Sequence, residues 1–372
     1  MTDLRLDSVS RAFGTFEALS VINLHVKQGE FVSLLGPSGC GKSTTLAIIA
    51  GLDSPTSGRV FIGDRLVADG EAGMSVPPEE RGLGLVLQSY ALWPHMTLRQ
   101  NVGLPLAIRK VAKKKREALV EEYLALVELG PYAERYPHEL SGGQQQRAAL
   151  ARTLVYKPAI LLLDEPLSNI DAKLRERARG WLRRLHKTFG LTTIFVTHDQ
   201  AEALSMSDRV AVMERGRIAQ EGSPRELYAH PNSVFVADFI GSSNFLSGVL
   251  VERVGDDAGI VMIEGQRVKA VLRDENIPVG GAIVVSVRPE NVYAASGDPL
   301  PGSNVVNVEI FHGDFLGART LFHARFGKQT LRFESAGPAP DAHARVAFLP
   351  EDGFVFQTEK LQALPNIEEA AV

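Results

Sequence analysis

The sequence contains a single cysteine, Cys40, and this scarcity excludes two ways of stabilising a fold. One thiol forms neither an internal disulfide nor a cysteine-based zinc site. The chain also lacks any run of the roughly 18 apolar residues that a membrane-spanning helix needs. Its first residues alternate polar and apolar side chains and lack the apolar core of a signal peptide. We therefore expect a protein of the cytosol that acts at a membrane only through partners.

Basic charge is not in excess either. The 372 residues include 40 Lys and Arg against 44 Asp and Glu, for a net charge of −4. A dedicated nucleic-acid-binding domain usually carries a basic face, so no nucleic-acid partner is expected. The runs Lys113–Arg116 and Arg175–Arg184 are interpreted as solvated faces of amphipathic helices, with nucleic-acid contact as the alternative. The length and the 45% hydrophobic content indicate two soluble domains with full cores.

Short apolar runs alternate with helical patterns in residues 1–240. The runs predict buried strands at Phe31–Leu35, Gly84–Leu87, Ile160–Leu163, Thr193–Val196 and Val210–Met213. Leu119–Val127 and Leu174–Leu185 place apolar side chains at helical spacing. Strands that alternate with helices predict an α/β domain with a mainly parallel sheet covered by helices.

After residue 241 the pattern changes to short strands separated by Gly, Asp and Pro. Such strands, at spacings of about ten residues, predict a small all-β, barrel-like domain over residues 241–360. We expect a linker at Pro231–Asn244 and a flexible acidic tail at residues 361–372. The predicted strands are Gly248–Val251, Gly259–Ile263, Arg267–Val271, Ile283–Val287, Val305–Ile310, Thr320–Arg325, Thr330–Phe333 and Arg345–Leu349.

The strongest local signal is Gly36-Pro-Ser-Gly-Cys-Gly-Lys-Ser-Thr44, between a predicted strand and a helical pattern. Glycines let the backbone wrap around phosphate oxygens with its N–H groups directed inward, and the following helix N-terminus favours anions. Lys42 is expected to reach the β- and γ-phosphates, and Ser43 to coordinate Mg²⁺. The sequence thus predicts a nucleotide site. The residues assigned to it are Gly36, Ser38, Gly39, Cys40, Gly41, Lys42, Ser43 and Thr44.

Two acids end the predicted strand Ile160–Leu163. Strands of open α/β sheets deliver ligand-binding groups at their C-terminal ends. Asp164 is therefore placed to support Mg²⁺, and Glu165 to polarise an attacking water. Alone, the two acids could simply end the strand or cap the next helix. A second helix N-terminus follows Leu140-Ser-Gly-Gly-Gln144, and an anion site and a plain helix cap are both open there.

Residues 1–240 closely resemble the ATP-binding subunit of an ABC transporter. The motifs occur in the family's order and with family-like spacings. Those that carry the resemblance are Gly36–Thr44 (Walker A), Gln88 (Q-loop), Leu140–Gln144 (signature), Ile160–Glu165 (Walker B and catalytic glutamate), Ser168–Asp171 (D-loop) and His198 (switch histidine). The resemblance implies a P-loop ATPase domain with a helical subdomain, which binds ATP and Mg²⁺.

The resemblance also implies roles for individual residues. Glu165, His198 and Lys42 would be catalytic, and Gln88 would sense the γ-phosphate and Mg²⁺. Ser141, Gly143 and Gln144 would act in trans on ATP held by a second copy in a head-to-tail dimer. Phe13 would pack against adenine, with ordinary packing as the alternative and Phe16 as a less favoured candidate. The metal-binding residues would be Ser43, Gln88 and Asp164.

The rest of the chain resembles the TOBE-type, OB-like extension of importer ATPases, through Asn244-Phe-Leu and Val287-Arg-Pro-Glu290. Such a subunit would lie at the cytoplasmic face of the inner membrane, bound to separate permeases that a substrate-binding protein serves. Tyr90–Met96 would contribute to the groove for a permease helix, with core packing as the alternative for Leu92 and Trp93. Tyr90–His95 favours polyamine, ferric iron or phosphonate import. A sugar importer is the alternative, and an ABC ATPase acting on nucleic acid is less favoured.

Overall fold

The computed structural model describes residues 2–274, 276–295, 297–337 and 340–358. The predicted tail at residues 361–372 lies outside them. The chain divides into two compact units between Leu227 and Tyr228, upstream of the boundary predicted at residues 240 and 241. Part of the expected linker is instead a short helix, Val234–Phe239.

The first unit contains two sheets. Its strands are β1 Leu4–Phe13, β2 Phe16–Val26, β3 Phe31–Leu35, β4 Ser57–Ile62, β5 Arg65–Asp69, β6 Met74–Ser75, β7 Leu83–Val86, β8 Ile160–Asp164, β9 Thr192–Thr197, β10 Arg209–Glu214 and β11 Arg217–Gly222. The six-stranded sheet has the order β11-β10-β3-β9-β8-β7. All of its pairs are parallel except β10 with β11. Every residue of β3 and β9 is buried, as expected for central strands of a covered parallel sheet.

The second sheet, of order β2-β1-β4-β5-β6, is antiparallel, and the sequence analysis did not predict it. Strand β1 alternates buried and exposed residues at Leu4, Arg5 and Leu6, which is typical of a half-buried antiparallel strand. Strand β1 therefore packs one face of its first residues against the core. One apolar core includes buried residues of both sheets, among them Leu6, Ile22 and Val196.

Helices cover the six-stranded sheet and form a helical segment between β7 and β8. The helices of this unit are α1 Lys42–Ala50, α2 Leu98–Ile108, α3 Lys113–Leu126, α4 Gly142–Leu154, α5 Ala172–Phe189 and α6 Gln200–Met206. Helix α7, Pro224–Ala229, contains the point at which the chain passes from the first unit to the second. Tyr123 of α3 and Leu150 of α4 are buried in one core with Phe195 of β9. Lys113, Lys114 and Lys115 are exposed on α3, as the solvated-face interpretation expects.

The second unit begins with α8 (Val234–Phe239) and is otherwise built from strands. They are β12 Asn244–Val254, β13 Ala258–Ile263, β14 Gln266–Leu272, β15 Ala282–Val287, β16 Tyr293–Ala294, β17 Asn304–Phe315, β18 Thr320–Phe326, β19 Gln329–Ser335, β20 His343–Phe348 and β21 Gly353–Gln357. Strands β12-β13-β14-β21-β15 close a barrel, as predicted. A separate five-stranded sheet, β16-β20-β17-β18-β19, was not distinguished from the barrel in the sequence. Both contribute to one core, which contains Val285 and Phe348.

Arg288, in the Val287–Glu290 motif, directly follows barrel strand β15. Its side chain connects this strand to the first residues of the second unit. Arg288 is 4% exposed, and its guanidinium donates hydrogen bonds to the carbonyls of Tyr228, Ala237 and Ser242. It also lies 4.0 Å from the centroid of the Tyr228 ring. Burial lowers the pKa of Arg288 to about 10. The motif is thus explained by a buried cation that satisfies backbone carbonyls.

In the described part of the chain, no helix has both the length and the apolar character needed to cross a bilayer.

Candidate nucleotide site

The phosphate loop consists of residues 36–41, between β3 and α1, and of residues 42–44 in the first turn of α1, and two of its three glycines are sterically required. A Cβ on Gly36 would lie 2.4 Å from the carbonyl oxygen of Met213. Gly41 has φ +107, and a Cβ there would lie 2.5 Å from Leu19 Cδ2. Only glycine fits both positions without movement of the surrounding residues. The loop is thereby held between the end of a central strand and the first turn of α1.

Lys42 is almost fully buried, at 6% exposed, and its charge acts on Asp164, but among the described residues no carboxylate oxygen lies within ion-pair distance of its Nζ. Its Nζ donates to the carbonyl oxygens of Gly36 and Pro37 at 2.7 and 2.9 Å. A buried cation held only by neutral groups favours an anion beside it. Ser38, Gly39 and Ser43 are exposed around it and Thr44 is half-buried, so the loop is open to a ligand.

The Cys40 side chain is buried, at 3% exposed, as that of Lys42 is. Burial raises the pKa of the Cys40 thiol, and the charge of Lys42 opposes that shift. The Sγ lies 3.7 Å from Lys42 Nζ. Any phosphate contact made by this residue therefore falls to its backbone.

The two acids after β8 lie next to the phosphate loop. Ser43 Oγ donates to Asp164 Oδ1 at 3.3 Å. Burial raises the pKa of Asp164, and the neighbouring charge of Glu165 adds to the rise. A carboxylate that is costly to ionise when nothing is bound is stabilised by a cation. The structure thus brings together two of the three predicted metal-binding residues.

Glu165 is the centre of a second cluster. Its Oε2 lies 3.1 Å from His198 Nδ1 and 3.4 Å from Gln88 Nε2. Glu165 has a left-handed backbone with φ +42, and its N–H donates to the Val196 carbonyl at 3.0 Å. A non-glycine residue in this region costs about 1–3 kcal/mol and is often found at functional sites. The strained backbone places this carboxylate between two polar side chains from separate loops.

The oxygen groups at this site fit Mg²⁺ bound together with a nucleotide. Ser43 supplies a hydroxyl, Asp164 a carboxylate, and the Gln88 amide an oxygen. Among the described residues there is no group of three or more His, Cys, Asp or Glu that could hold a metal ion. Mg²⁺ commonly uses one or two carboxylates together with substrate phosphates rather than an all-protein cage. The donor set here has that composition.

The residues 140–144 form the start of α4. Ser141 is its N-cap, and Ser141 and Gln144 form a capping box in which each side chain accepts from the other's backbone N–H. A Cβ on Gly142 would lie 2.9 Å from the Asn169 carbonyl. Within the described residues of one chain, no hydrogen bond joins Ser141, Gly143 or Gln144 to the phosphate loop. The helix-cap interpretation is therefore correct for Ser141, and the anion site stays a prediction.

Phe13 and Phe16 lie opposite each other at the turn between β1 and β2. They are 49% and 64% exposed, respectively. The Arg11 guanidinium lies 4.3 Å from the Phe13 ring centroid and forms an ion pair with Asp53 at 2.6 Å. One face of Phe13 thus has a cationic neighbour, and the residue is not part of the core.

Arg152 was missed by the sequence analysis, and it joins the loop after Gln88 to helix α4. Its guanidinium donates to the carbonyls of Tyr90, at 2.7 Å, and of Ala91. It also lies 4.7 Å from the Trp93 ring centroid. Tyr90 and Ala91 both have positive φ, so this loop conformation needs support. The only sequence signal is an arginine among the small and apolar residues of α4.

Arg175 was also missed as an individual residue, because the sequence analysis treated its run as a solvated face. It donates to the Ile170 carbonyl at 3.1 Å and to Asp199 Oδ2 at 3.4 Å. Asp199 follows His198 and is the N-cap of α6. Arg175 thereby connects residues 168–171 to the loop that carries His198.

The aromatic segment after Gln88 divides between core and surface. Tyr90 is 3% exposed, and Leu92 packs against the core. Met96 instead lines an open cavity of about 510 Å³, with His95, Arg99 and Leu104. Core packing, which the sequence left as an alternative for Leu92, is therefore correct for that residue.

Comparisons with known proteins agree with this geometry. A family model described as ABC transporter matches residues 19–168, and a TOBE domain model matches residues 285–356. The trehalose/maltose import ATP-binding protein MalK of Thermococcus litoralis is 46% identical over 334 residues, which cover 89% of this chain and 90% of that protein. The spermidine/putrescine import ATP-binding protein PotA of Vibrio cholerae is 45% identical over 289 residues, covering 78% and 75% of the two chains.

Two further proteins extend the comparison. The Fe(3+) ions import ATP-binding protein FbpC 1 of Haemophilus influenzae is 43% identical over 317 residues, covering 84% of this chain and 91% of that protein. A solved dimeric ATP-binding cassette in a post-hydrolysis state, bound to ADP and Pi, has a TM-score of 0.52 at 36% identity. That alignment covers 60% of this chain and 99% of the cassette. The chain therefore belongs to the family of import ATP-binding proteins of ABC transporters, ATPases that couple ATP hydrolysis to transport.

Proposed function

We propose that the chain hydrolyses ATP as a head-to-tail dimer of two copies and thereby drives import through separate membrane permease subunits. The observation that carries the proposal is the convergence of Lys42, the Ser43–Asp164 pair and the Glu165–His198 pair at one edge of the sheet. We expect the protein to act at the cytoplasmic face of the inner membrane, with a substrate-binding protein as an indirect partner and no nucleic acid.

Phosphoryl transfer asks the protein mainly for positioning and charge stabilisation. Backbone N–H groups of the phosphate loop hold the phosphates, and Lys42, already desolvated, places its positive charge beside them. Ser43, Asp164 and Gln88 are the residues that would hold Mg²⁺. When bound, that ion neutralises charge on the phosphates.

Glu165 is the residue that positions and polarises the attacking water. Its carboxylate is oriented by His198, and its backbone is held by the bond to Val196. His198 contacts the γ-phosphate. Gln88 contacts the same phosphate, and its position is thereby linked to the loop that Arg152 supports. Phe13 is the residue that packs against adenine, because its ring is exposed beside Arg11.

The signature residues Ser141, Gly143 and Gln144 act on ATP bound by the second copy. The N-terminus of α4 supplies unpaired backbone N–H groups and a favourable dipole for that ligand. In the capping box, Ser141 Oγ accepts a hydrogen bond, so its own proton is available to a phosphate oxygen. The relation of this chain to a dimeric cassette at 36% identity supports the arrangement.

The permease groove is the open cavity beside Met96. Interfaces are enriched in Met and Arg, and this cavity is lined by Met96, Arg99 and Leu104. The segment Tyr90–His95 favours polyamine, ferric iron or phosphonate import, and relatives named for spermidine/putrescine and Fe(3+) import support the first two. Sugar import has comparable support, because a trehalose/maltose relative is 46% identical over 334 residues.

The substitution Glu165→Gln tests the hydrolysis mechanism. The amide keeps the size of the side chain but cannot polarise water as a carboxylate does, so ATP should be bound without turnover. We expect an ATP-dependent dimer by light scattering after size-exclusion chromatography, with almost no phosphate release. Glu79→Gln, at an exposed turn, is the control and should retain activity. Full ATPase activity in Glu165→Gln would mean that the base has been misassigned.

The partners that co-purify with the full-length chain distinguish a role in transport from a role on nucleic acid. We expect permease subunits to co-purify with it from detergent-solubilised membranes, and Met96→Glu to release them while leaving ATP binding unchanged. Stimulation of ATP hydrolysis by nucleic acid, without a membrane partner, would contradict the import function.

A further inference from the structure

Glu202, on helix α6, is a buried acid outside the set of residues assigned to the nucleotide and Mg²⁺. It is 3% exposed, and its Oε2 accepts a hydrogen bond from Thr197 Oγ1 at 2.6 Å. Thr197 is the last residue of β9 and directly precedes His198. A buried carboxylate is thus bonded to the neighbour of the histidine that faces Glu165.

The His198 side chain has few contacts that could orient it. It is 59% exposed, and within the described residues its one ion pair is with Glu165, through Nδ1 at 3.1 Å. Its direction therefore depends on the backbone on either side. The Asp199 N–H donates to Thr197 Oγ1 at 3.0 Å, and Asp199 Oδ1 accepts from the Glu202 N–H at 3.0 Å. Both neighbours of His198 are thereby tied to the first turn of α6.

This arrangement differs from the ordinary cap of a helix. Asp199 is the N-cap of α6, and Glu202 occupies the third helical position, where a glutamate usually accepts from the N-cap N–H. Here that N–H donates to the Thr197 hydroxyl instead, and the Glu202 carboxylate accepts from the same hydroxyl. The carboxylate therefore acts on the residues before and after His198 at once.

Arg175 of α5 approaches the same carboxylate. Its Nε lies 3.8 Å from Glu202 Oε1, an ion pair that is too long for a hydrogen bond. This Nε is buried and has no hydrogen-bond partner in the part of the chain that the structure describes. The other nitrogens of Arg175 donate to the Ile170 carbonyl and to Asp199. A shift of about 1 Å between α5 and α6 would complete the bond to Glu202.

Stability alone does not account for a carboxylate at this place. Burial raises the pKa of Glu202, and the hydrogen bond from Thr197 opposes the shift. The charge of Asp199 adds to the rise, and the charges of Arg175 and Arg179 oppose it. A buried ion pair often adds little or no net stability compared with apolar residues of similar volume. The group is better explained by what it positions.

We propose that Glu202 is a positioning residue for His198 in ATP hydrolysis, and that Arg175 acts through the same carboxylate. Glu202 fixes Thr197 and Asp199, and these fix the backbone from which the imidazole reaches the γ-phosphate. Misplacement of a reacting group by about 1 Å can lower a rate about a hundredfold, so this support acts on kcat. The role of Glu202 rests on the proposed contact of His198 with the γ-phosphate.

Steady-state ATP hydrolysis by the full-length chain tests the role of the Thr197 hydroxyl. Thr197→Val removes the hydroxyl with little change in shape, and kcat should fall about tenfold or more. KM for ATP should stay within about twofold, because the phosphate loop is unchanged. Thr197→Ser keeps the hydroxyl and should restore most of kcat. Wild-type kcat in Thr197→Val would overturn the proposal.

Variants of Glu202 separate positioning from general stability. Glu202→Gln keeps an oxygen that accepts from Thr197, so Glu202→Ala should lose more of kcat than Glu202→Gln. Glu30→Ala is the matched control. Glu30 is also mostly buried, pairs with Arg209 at 3.0 Å, and precedes β3 at the other end of the parallel sheet. A loss of kcat in Glu30→Ala equal to that in Glu202→Ala would mean general destabilisation and contradict the proposal.

Arg175→Gln has a control on the same helix. Arg183 also lies on α5 and pairs with a carboxylate, that of Asp208. Arg175→Gln should lower kcat with little change in KM for ATP, whereas Arg183→Gln should leave kcat unchanged. Equal losses of kcat in the two variants would contradict the role given to Arg175.

A double-mutant cycle with His198→Ala shows whether Glu202 acts through His198. If it does, single-turnover phosphate release by the double variant Glu202→Ala/His198→Ala equals that of His198→Ala alone. If the two losses multiply, Glu202 acts elsewhere, and its positioning role is wrong while the proposed function stands. Wild-type kcat in His198→Ala would instead overturn the proposed contact of His198 with the γ-phosphate, and the role of Glu202 with it.

Discussion

Alanine at two glycines of the phosphate loop should have unequal effects, although both have a left-handed backbone. Gly39 has φ +79, and a Cβ there would meet no atom within 4 Å. Gly41 has φ +107, and a Cβ there would lie 2.5 Å from Leu19 Cδ2 and 3.0 Å from the Ala18 carbonyl oxygen. The pair therefore separates backbone strain from steric overlap at nearly the same place.

The expected magnitudes follow from that difference. Gly39→Ala adds only the strain of a left-handed residue, about 1–2 kcal/mol. Gly41→Ala adds the same strain and an overpacking cost of about 1–3 kcal/mol. Leu19 can move its side chain, but Ala18 presents backbone, so relief is partial. We expect total losses of about 1–2 kcal/mol for Gly39→Ala and about 2–5 kcal/mol for Gly41→Ala.

Urea unfolding followed by tryptophan fluorescence is the suitable assay. The only two tryptophans of the chain, Trp93 and Trp181, both lie in the first unit. The signal therefore reports the unfolding of the ATPase unit without a contribution from the second. Equal midpoints and slopes for the two variants would refute the reasoning, because they would give the contact with Leu19 and Ala18 no energetic weight.

Three further predictions concern buried ionisable groups. Arg81→Met should cost about 1–3 kcal/mol in urea unfolding, because the Arg81 guanidinium satisfies the carbonyls of Ile48 and Ile49 at the end of α1; wild-type stability would contradict this. Burial raises the pKa of Asp164, so the folded state binds this proton more tightly and stability falls as the pH rises from 3.8 through the raised value. Asp164→Asn should therefore stabilise the nucleotide-free protein at pH 7 while reducing Mg²⁺-dependent ATP hydrolysis, and a lower thermal midpoint would count against it. Burial lowers the pKa of His186, so its contribution to stability is present above pH 6.5 and is lost as the pH falls below that value. The thermal midpoint of His186→Asn should decline less between pH 7 and pH 5 than that of the wild-type protein, and an equal decline would contradict the assignment.

The parallel sheet could be predicted from the sequence because its central strands are buried on both faces. Phe31–Leu35 is a continuous apolar run, and the structure gives the strand the predicted bounds. The antiparallel sheet was missed although β1 with β2 and β4 with β5 pair locally. Its two parts are joined by β1 and β4, whose paired residues Ser10 and Ser57 are more than forty residues apart. Register between distant strands depends on packing that single-chain periodicity does not contain.

The site shows the same division between local and distant information. The phosphate loop, Asp164 and Glu165 could be found because strand, turn and helix are adjacent in the chain. Arg152 could not be identified in this way, because its partners Tyr90 and Ala91 are 62 and 61 residues away. Positioning residues of this kind have no motif of their own, and only the folded chain shows what they hold.

Arg152 also has a consequence for protein engineering. Residues 94–140 contain the cavity proposed for the permease, whereas the carbonyls that Arg152 binds precede this segment and Arg152 itself follows it. Exchange of residues 94–140 for the corresponding segment of a relative therefore leaves both junctions and the side chain that joins them in the recipient. A chimaeric subunit built with these boundaries would change its membrane partner and keep its own nucleotide chemistry.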